Sequence, residues 1–333
     1  MITKKENQIV KKFSALSMLL FGGALLSLGL ESFFPLAPYA NNLQASASEA
    51  VRDELRAPQN PFLNITLEAR AVYVKNLASG KVLFAQNEQA KFPLASVTKL
   101  MTAFVARESM SESAVITITA DDISAEGDSG LRAGERWRLG DLLNIMLLAS
   151  SNDAAHAVAG FVGANGVANQ ANNTSSAQIH FIQMMNEKAR VLGLKQTEFF
   201  NESGLDMNDV QEGVSAIFTP KAGGYGSAYD VALLFSELWE KYPETIETTA
   251  HKYARIISQD TIAHILPNTN EIVGHIPGLI ASKTGYTALA GGNLAVIFDR
   301  GMGDPVLVVV LGSSYNGRFD DVLKLVTAAR KAL

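Results

Sequence analysis

Ser96-Val97-Thr98-Lys99 decides how the rest of this chain is read, because it sets a serine one helical turn ahead of a lysine. Apolar residues follow at Val97, Leu100, Met101, Phe104 and Val105. Those offsets trace one stripe of a helix and place Ser96 at its start, where unpaired N–H groups and the dipole favour developing negative charge. A serine hydroxyl is a weak nucleophile until a neighbouring base takes its proton. Lysine becomes that base only if its pKa drops from about 10.4 towards about 7, a change of roughly 4–5 kcal/mol that burial or a second nearby cation can supply. Standing alone, the same four residues would read as a helix-capping serine and a solvated lysine.

Two further stretches change that balance. Lys283-Thr284-Gly285 lies in a run of β-branched and aromatic residues from Leu279 to Tyr286, followed by Thr287. A glycine inside a strand marks close approach of another backbone or a ligand. An edge strand there would offer its backbone to an extended peptide, with Lys283 and Thr284 presenting a cation and a hydroxyl to a carboxylate. Ser-x-Asn occurs twice, at Ser150-Ser151-Asn152 and at Ser314-Tyr315-Asn316. The first interrupts an apolar helical stretch from Leu139 to Val162, so its polar side chains need partners in a cleft. The second follows a strand where a turn is expected. We therefore assign Ser150 as a proton relay and Asn152 as a hydrogen-bond donor to substrate, with helix capping ahead of Asp153-Ala154-Ala155 as a compatible second role.

The fold class expected is mixed α/β. Ala71-Val72-Tyr73-Val74 and Lys81-Val82-Leu83-Phe84 form a hairpin signal, and 293–298 with 306–311 form a second apolar pair near the other end. Residues 318–333 have helical spacing. An antiparallel sheet built from both chain ends, packed with helices, would then carry an inserted, mainly helical lobe over about 110–265. Residues 163–178, rich in Asn, Ala and Ser, read as a surface insertion.

At 333 residues and 47% hydrophobic content the chain can bury a full core. Net charge is −5, with residues 1–12 carrying +3 and the remainder −8, a poor match for nucleic acid. There is no cysteine, which excludes disulfides and thiolate metal sites. The five histidines, at 156, 180, 251, 264 and 275, show no metal-ligand spacing and read as structural or surface residues. No Gly-x-Ser-x-Gly elbow is present. Neither a metal nor another cofactor is expected.

Lys11-Lys12 precede an uncharged apolar run over 13–30, the layout of an export signal. Residues 1–40 are expected to be a signal peptide, cleaved near Ala45-Ser46-Ala47, or an uncleaved inner-membrane anchor. Residues 41–66 read as a linker and 67–333 as the catalytic body. Either reading exports the body to the periplasm or the extracytoplasmic face of a bacterial inner membrane.

These residues resemble the low-molecular-mass penicillin-binding proteins, the serine-type D-alanyl-D-alanine carboxypeptidases of the S11 peptidase family. The likeness takes in Phe92-Pro93-Leu94-Ala95 before Ser96, Met185-Asn186-Glu187-Lys188-Ala189, Asn201-Glu202-Ser203-Gly204-Leu205-Asp206, Asn268-Thr269-Asn270 and Gly285-Tyr286-Thr287, about residues 67–315 in all. It implies a DD-peptidase/β-lactamase-like fold and an acyl-enzyme on Ser96. It also implies Lys99 as base, Ser150 passing the proton to departing D-alanine, and Lys283 with Thr284 holding its carboxylate. The oxyanion hole would be the N–H groups of Ser96 and Tyr286. The implied substrate is a peptidoglycan stem peptide, with β-lactams as covalent inhibitors. Relatives carry a C-terminal β-domain and amphipathic helix not found after Lys283 here, so any anchoring would fall to residues 13–30. Residues 163–178 and 207–226 are longer than usual and bear on carboxypeptidase against endopeptidase activity. A class A β-lactamase would need an added carboxylate for deacylation, and no Glu-x-x-Asn between Asn152 and Lys283 is expected to supply it. A non-catalytic peptidoglycan-binding protein would have no use for Ser96 beside Lys99.

Overall fold

A computed structural model describes residues 60–332 apart from 125, 126, 128, 129, 166–173 and 211–217. The export or anchor segment over 1–40 and most of the 41–66 linker lie outside the described residues. Among those described, no helix is long and apolar enough to cross a membrane.

Strands form where short β-branched and apolar runs lie near both ends of the described body. Strands β1 (Ala71–Asn76), β2 (Val82–Gln86), β3 (Leu279–Thr287), β4 (Gly291–Asp299) and β5 (Pro305–Ser313) make one sheet in the order β3-β4-β5-β1-β2. Every pairing is antiparallel, and β1 lies beside β5 with Ala71 opposite Leu311 and Asn76 opposite Val306. The sheet is thus closed by the two ends of the chain, and β3 is an edge strand.

Alternation sends the side chains of β5 to two separate cores. Leu307, Val309 and Leu311 join Tyr73 and Ile297 on one face, while Val306, Val308 and Val310 join Val72, Phe298 and Val74 on the other. Both faces being covered explains why the strand reads as a continuous run of β-branched and leucine residues. The C-terminal helix Gly317–Lys331 covers the second face through Phe319, Val322 and Leu325. Phe62 packs there too and stacks on Phe84 with ring centroids 5.3 Å apart. Packing therefore starts ahead of Leu67, inside the stretch read as linker.

The first face receives the inserted lobe. Its helices are α1 (Lys99–Ser109), α2 (Leu139–Leu148), α3 (Asn152–Asn165), α4 (Thr174–Val191) and α5 (Ala228–Lys241), with the C-terminal helix as α6. Ser227 caps α5, its Oγ accepting from Asp230 N at 3.1 Å. The lobe also holds three short hairpins: Val115–Thr117 with Arg136–Arg138, Met207–Val210 with Phe218–Lys221, and Tyr253–Ile257 with Ala263–Pro267. The stretch 163–178 is not simply a surface insertion. Residues 163–165 end α3 and 174–178 begin α4, and Gly163 is buried so tightly that a Cβ would lie 2.0 Å from Ala177 O.

Candidate active site

The residues around Ser96 are shaped by contacts from three distant segments. A 3-10 turn over Ala95–Thr98 leads into α1, so Ser96 sits in a tight turn just before the helix and Lys99 is the first α-helical residue. Ala95 is in the left-handed region at φ 48°, a conformation that costs a non-glycine residue free energy and persists only where surroundings enforce it. They do. Asn293 on β4 donates from Nδ2 to Pro93 O and Leu94 O, each at 3.0 Å, and Leu94 N donates to Gly224 O at 2.9 Å. Gly285 on β3 presses against the same turn: a Cβ there would sit 2.8 Å from Leu94 O and 3.2 Å from Ser96 N. Close backbone approach is the reason for a glycine inside this strand.

Lys99 is fully buried. Its Nζ lies 3.0 Å from Ser96 Oγ, 2.7 Å from Asn152 Oδ1 and 2.8 Å from Ser203 O. A neutral amine has two protons and one lone pair, and three neighbours suit it: Asn152 Oδ1 and Ser203 O accept, and Ser96 O–H can donate. Burial lowers the Lys99 pKa to about 7, against the opposing pull of the Glu202 carboxylate. Asn152 is thus first a partner of Lys99.

The turn at Ser150 is the second enforced conformation, with φ 59°. The motif divides its labour. Ser151 caps α3, its Oγ accepting from Ala154 N at 3.0 Å, while Ser150 and Asn152 face the cleft. Lys283 Nζ donates to Ser150 Oγ and to Thr284 O, both at 2.9 Å. Lys283 is also buried, and its pKa falls well below the ordinary lysine value through burial first, then repulsion from Lys99 and Arg318. Burial is the leading cause for both lysines, and the repulsion between them is mutual. Thr284 Oγ1 is 2.6 Å from Thr269 Oγ1, and Arg318 at the start of α6 donates to Gly285 O at 2.9 Å. Tyr286 follows on the edge strand with its ring half exposed, edge-on to Tyr315. Ser96, Lys99, Ser150, Asn152, Lys283 and Thr284 are brought together, with the backbone of Gly285 and Tyr286 alongside.

Four further contributors have no role assignable from residue type alone: Ser203 meets Lys99 through its carbonyl, Thr269 meets Thr284 through its hydroxyl, Asn293 holds the Pro93 and Leu94 carbonyls, and Arg318 holds Gly285 O. Gly204, at φ 81°, would place a Cβ 1.9 Å from Ala95 O, so the 201–205 loop packs directly on the nucleophile turn. One stretch, 198–201, has the Glu-x-x-Asn spacing of a deacylating carboxylate. Its Glu198 is exposed and paired with Lys91 at 3.3 Å, not turned to Lys99. Among the described residues, no cluster of three or more His, Asp or Glu could hold a metal ion.

Residues 55–314 match the family model for peptidase S11, D-alanyl-D-alanine carboxypeptidase. The chain belongs to this family. Its relatives include the D-alanyl-D-alanine carboxypeptidase DacF of Bacillus subtilis, 30% identical over 269 residues that cover 79% of this chain and 62% of DacF. DacC of Escherichia coli is 30% identical over 280 residues, covering 79% and 61%. The chain thus spans a little over three-fifths of these relatives' length. Among solved structures, a D-alanyl-D-alanine carboxypeptidase from Mycobacterium tuberculosis aligns at TM-score 0.66 and 25% identity, covering 81% of this chain and 93% of that one. Penicillin-binding protein D2 of Listeria monocytogenes, solved in an ampicillin-bound form, aligns at TM-score 0.63 and 29% identity over 80% of this chain and 98% of that one. The S11 chain therefore has the DD-peptidase fold.

Proposed function

We propose that this chain is a serine-type D-Ala-D-Ala carboxypeptidase that removes the terminal D-alanine from peptidoglycan stem peptides. The observation that carries the reading is a buried lysine amine of pKa about 7, 3.0 Å from a serine hydroxyl at a turn crossed by an edge strand. Lys99 takes the Ser96 proton as Oγ bonds to the carbonyl carbon of the terminal peptide. The oxyanion receives the N–H groups of Ser96 and Tyr286, each such donor being worth about 3 kcal/mol in comparable sites. Collapse breaks the C–N bond, and the proton reaches the departing D-alanine nitrogen through Ser150, with Lys283 behind it. Lys283 and Thr284 hold the free carboxylate. Water then hydrolyses the ester on Ser96 and restores the serine. A β-lactam would acylate Ser96 by the same route and remain.

A DD-endopeptidase reading is supported by one relative, the D-alanyl-D-alanine endopeptidase of Pseudomonas aeruginosa, 31% identical over 147 residues and 43% of this chain. Labelling of the chain with a fluorescent penicillin, lost in Ser96→Ala, tests the acyl-enzyme. Release of D-alanine from a stem pentapeptide, against cleavage of cross-linked dimers, separates the two activities. Rapid turnover of the penicillin would instead favour a β-lactamase. The place of action we infer is the outer face of the inner membrane or the periplasm, in cell-wall biogenesis, on the strength of Lys11-Lys12 and the apolar run 13–30.

A further inference from the structure

Glu202 is only 8% exposed and directly precedes Ser203, whose carbonyl receives Lys99 Nζ. Its Oε1 is 3.0 Å from His156 Nδ1, and His156 Nε2 is in turn 2.9 Å from Gln178 Nε2. Its backbone is pinned as well: Thr102 Oγ1 on α1 donates to Glu202 O at 2.6 Å, and the next carbonyl, Ser203 O, receives Lys99 Nζ. Helix α3 serves both groups. Asn152 and His156 are one turn apart on the same face, the first holding Lys99 and the second holding Glu202.

We propose that Glu202 and His156 are positioning residues for the reaction above: a carboxylate–imidazole pair that fixes the Ser203 carbonyl against Lys99 and, by its net charge, governs how readily Lys99 takes the Ser96 proton. The proposal rests on Lys99 being the base. The groups facing the pair are few. His156 is met by Glu202, by Gln178 from α4, and by Asp121 and Asp122 from the turn before the cleft. Lys99 is met by Glu202, whose charge attracts its ammonium, and by Lys283, whose charge repels it. The hydrogen bond to Glu202 raises the His156 pKa, against burial. Burial alone would raise the Glu202 pKa, but His156, the backbone and Lys99 together hold it below the ordinary value. The hydrogen bond thus extends the charged imidazole of His156 to higher pH than a free one would keep it. Neutral His156 donates from Nδ1 and accepts from Gln178 Nε2, and charged His156 is satisfied by turning the Gln178 amide to offer its oxygen.

Charge then dictates opposite effects for the two members. An uncharged residue at 202 removes the anion that stabilises the Lys99 ammonium, so neutral Lys99 persists to lower pH. An uncharged residue at 156 leaves the Glu202 anion uncompensated, so Lys99 holds its proton to higher pH. A merely structural loosening would lower the rate plateau of both variants without moving their midpoints apart.

The experiment is the second-order rate of acylation by a fluorescent penicillin between about pH 5 and 9, on the full chain with Glu202→Gln and His156→Gln, and a thermal melt for each. The acid-limb midpoint of Glu202→Gln should fall on the order of one pH unit. Its rate relative to its own plateau, one unit below the wild-type midpoint, should then be roughly fivefold that of wild type. The midpoint of His156→Gln should rise. Midpoints that stay together or move the same way overturn the pair. If Glu202→Gln does not fold, His156→Gln decides, because glutamine can still donate to the carboxylate. Lys99→Arg separates the two layers of the claim. If it acylates at the wild-type rate, the base assignment fails and the pair with it. If it is inactive while the wild-type limb stands and the midpoints do not move, only the pair fails.

Discussion

Strand β5 and the segment 94–99 are both largely buried, and they are buried on opposite terms. In β5 every residue from Val306 to Leu311 is apolar, and the two faces of the strand feed two cores. In the nucleophile segment Thr98 and Lys99 are as inaccessible as those valines, and Ala95 is held in the left-handed region. Burial of β5 is favourable residue by residue, at about 25 cal/mol per Å² of apolar surface. Burial of Lys99 is unfavourable by about 5 kcal/mol, the equivalent of bringing a lysine pKa from 10.5 to about 7. The first region supplies the stability that the second region draws down to hold a reactive amine beside a hydroxyl.

Substitutions can break that contrast. The largest effect is expected for Lys99→Met. Acylation by a penicillin should fall by at least about 10³-fold, yet the melting temperature at neutral pH should not drop below wild type. The sign follows from linkage. Lys99 has a folded pKa below its unfolded one, so its destabilising contribution is absent above about pH 10.4, grows as pH falls, and is complete below about pH 7. The stability advantage of Lys99→Met should therefore shrink as pH rises from 7 to 10, as read by thermal melts across that range. A lower melting temperature at pH 7 with no pH trend would break the contrast.

Leu307→Ala sharpens it from the other side. Leu307 is fully buried on the face that meets the lobe, and its loss should cost 2–5 kcal/mol by denaturant unfolding. The acid-limb midpoint for acylation should stay where it is, since no charge near Lys99 changes. The smallest effect belongs to Ser151→Ala, which removes the hydrogen bond to Ala154 N and should cost about 1 kcal/mol. Ser150 and Asn152 keep their own partners, so penicillin labelling should persist. Loss of labelling in a folded Ser151→Ala protein would mean that the cap and the cleft are not separable.

The same contrast governs what could be read from sequence. The unbroken β-branched run of β5, the Leu139–Leu148 helix and the helical stripe from Val97 to Val105 are simple patterns, so their elements are legible and the sheet from both chain ends follows. Ser96, Lys99, Ser150, Asn152, Lys283 and Thr284 are legible as spaced motifs. Ala95 and Ser150 in left-handed backbone are not, because neither is a glycine or an asparagine that would announce the turn. Nor are Ser203 and Asn293 as site members. Ser203 meets Lys99 through its carbonyl across 104 positions, and Asn293 reaches Pro93 across 200. A backbone acceptor has no residue type to betray it. Glu202 lies inside the Asn201–Asp206 stretch that carries the family likeness, but only its packing against α1 and α3 shows which groups it faces. The Glu-x-x-Asn spacing at 198–201 is uninformative for the same reason: Glu198 is exposed and pairs with Lys91.

The central claim is that burial by the fold brings the Lys99 pKa to about 7, so that the neutral amine is well populated at physiological pH. Its most direct test is an NMR titration of the lysine Cε resonances in the folded chain, with Lys99 identified by its loss in Lys99→Arg. A Lys99 midpoint near 7 is the result expected. A Lys99 resonance that titrates at about 10, as in a free lysine, would contradict it.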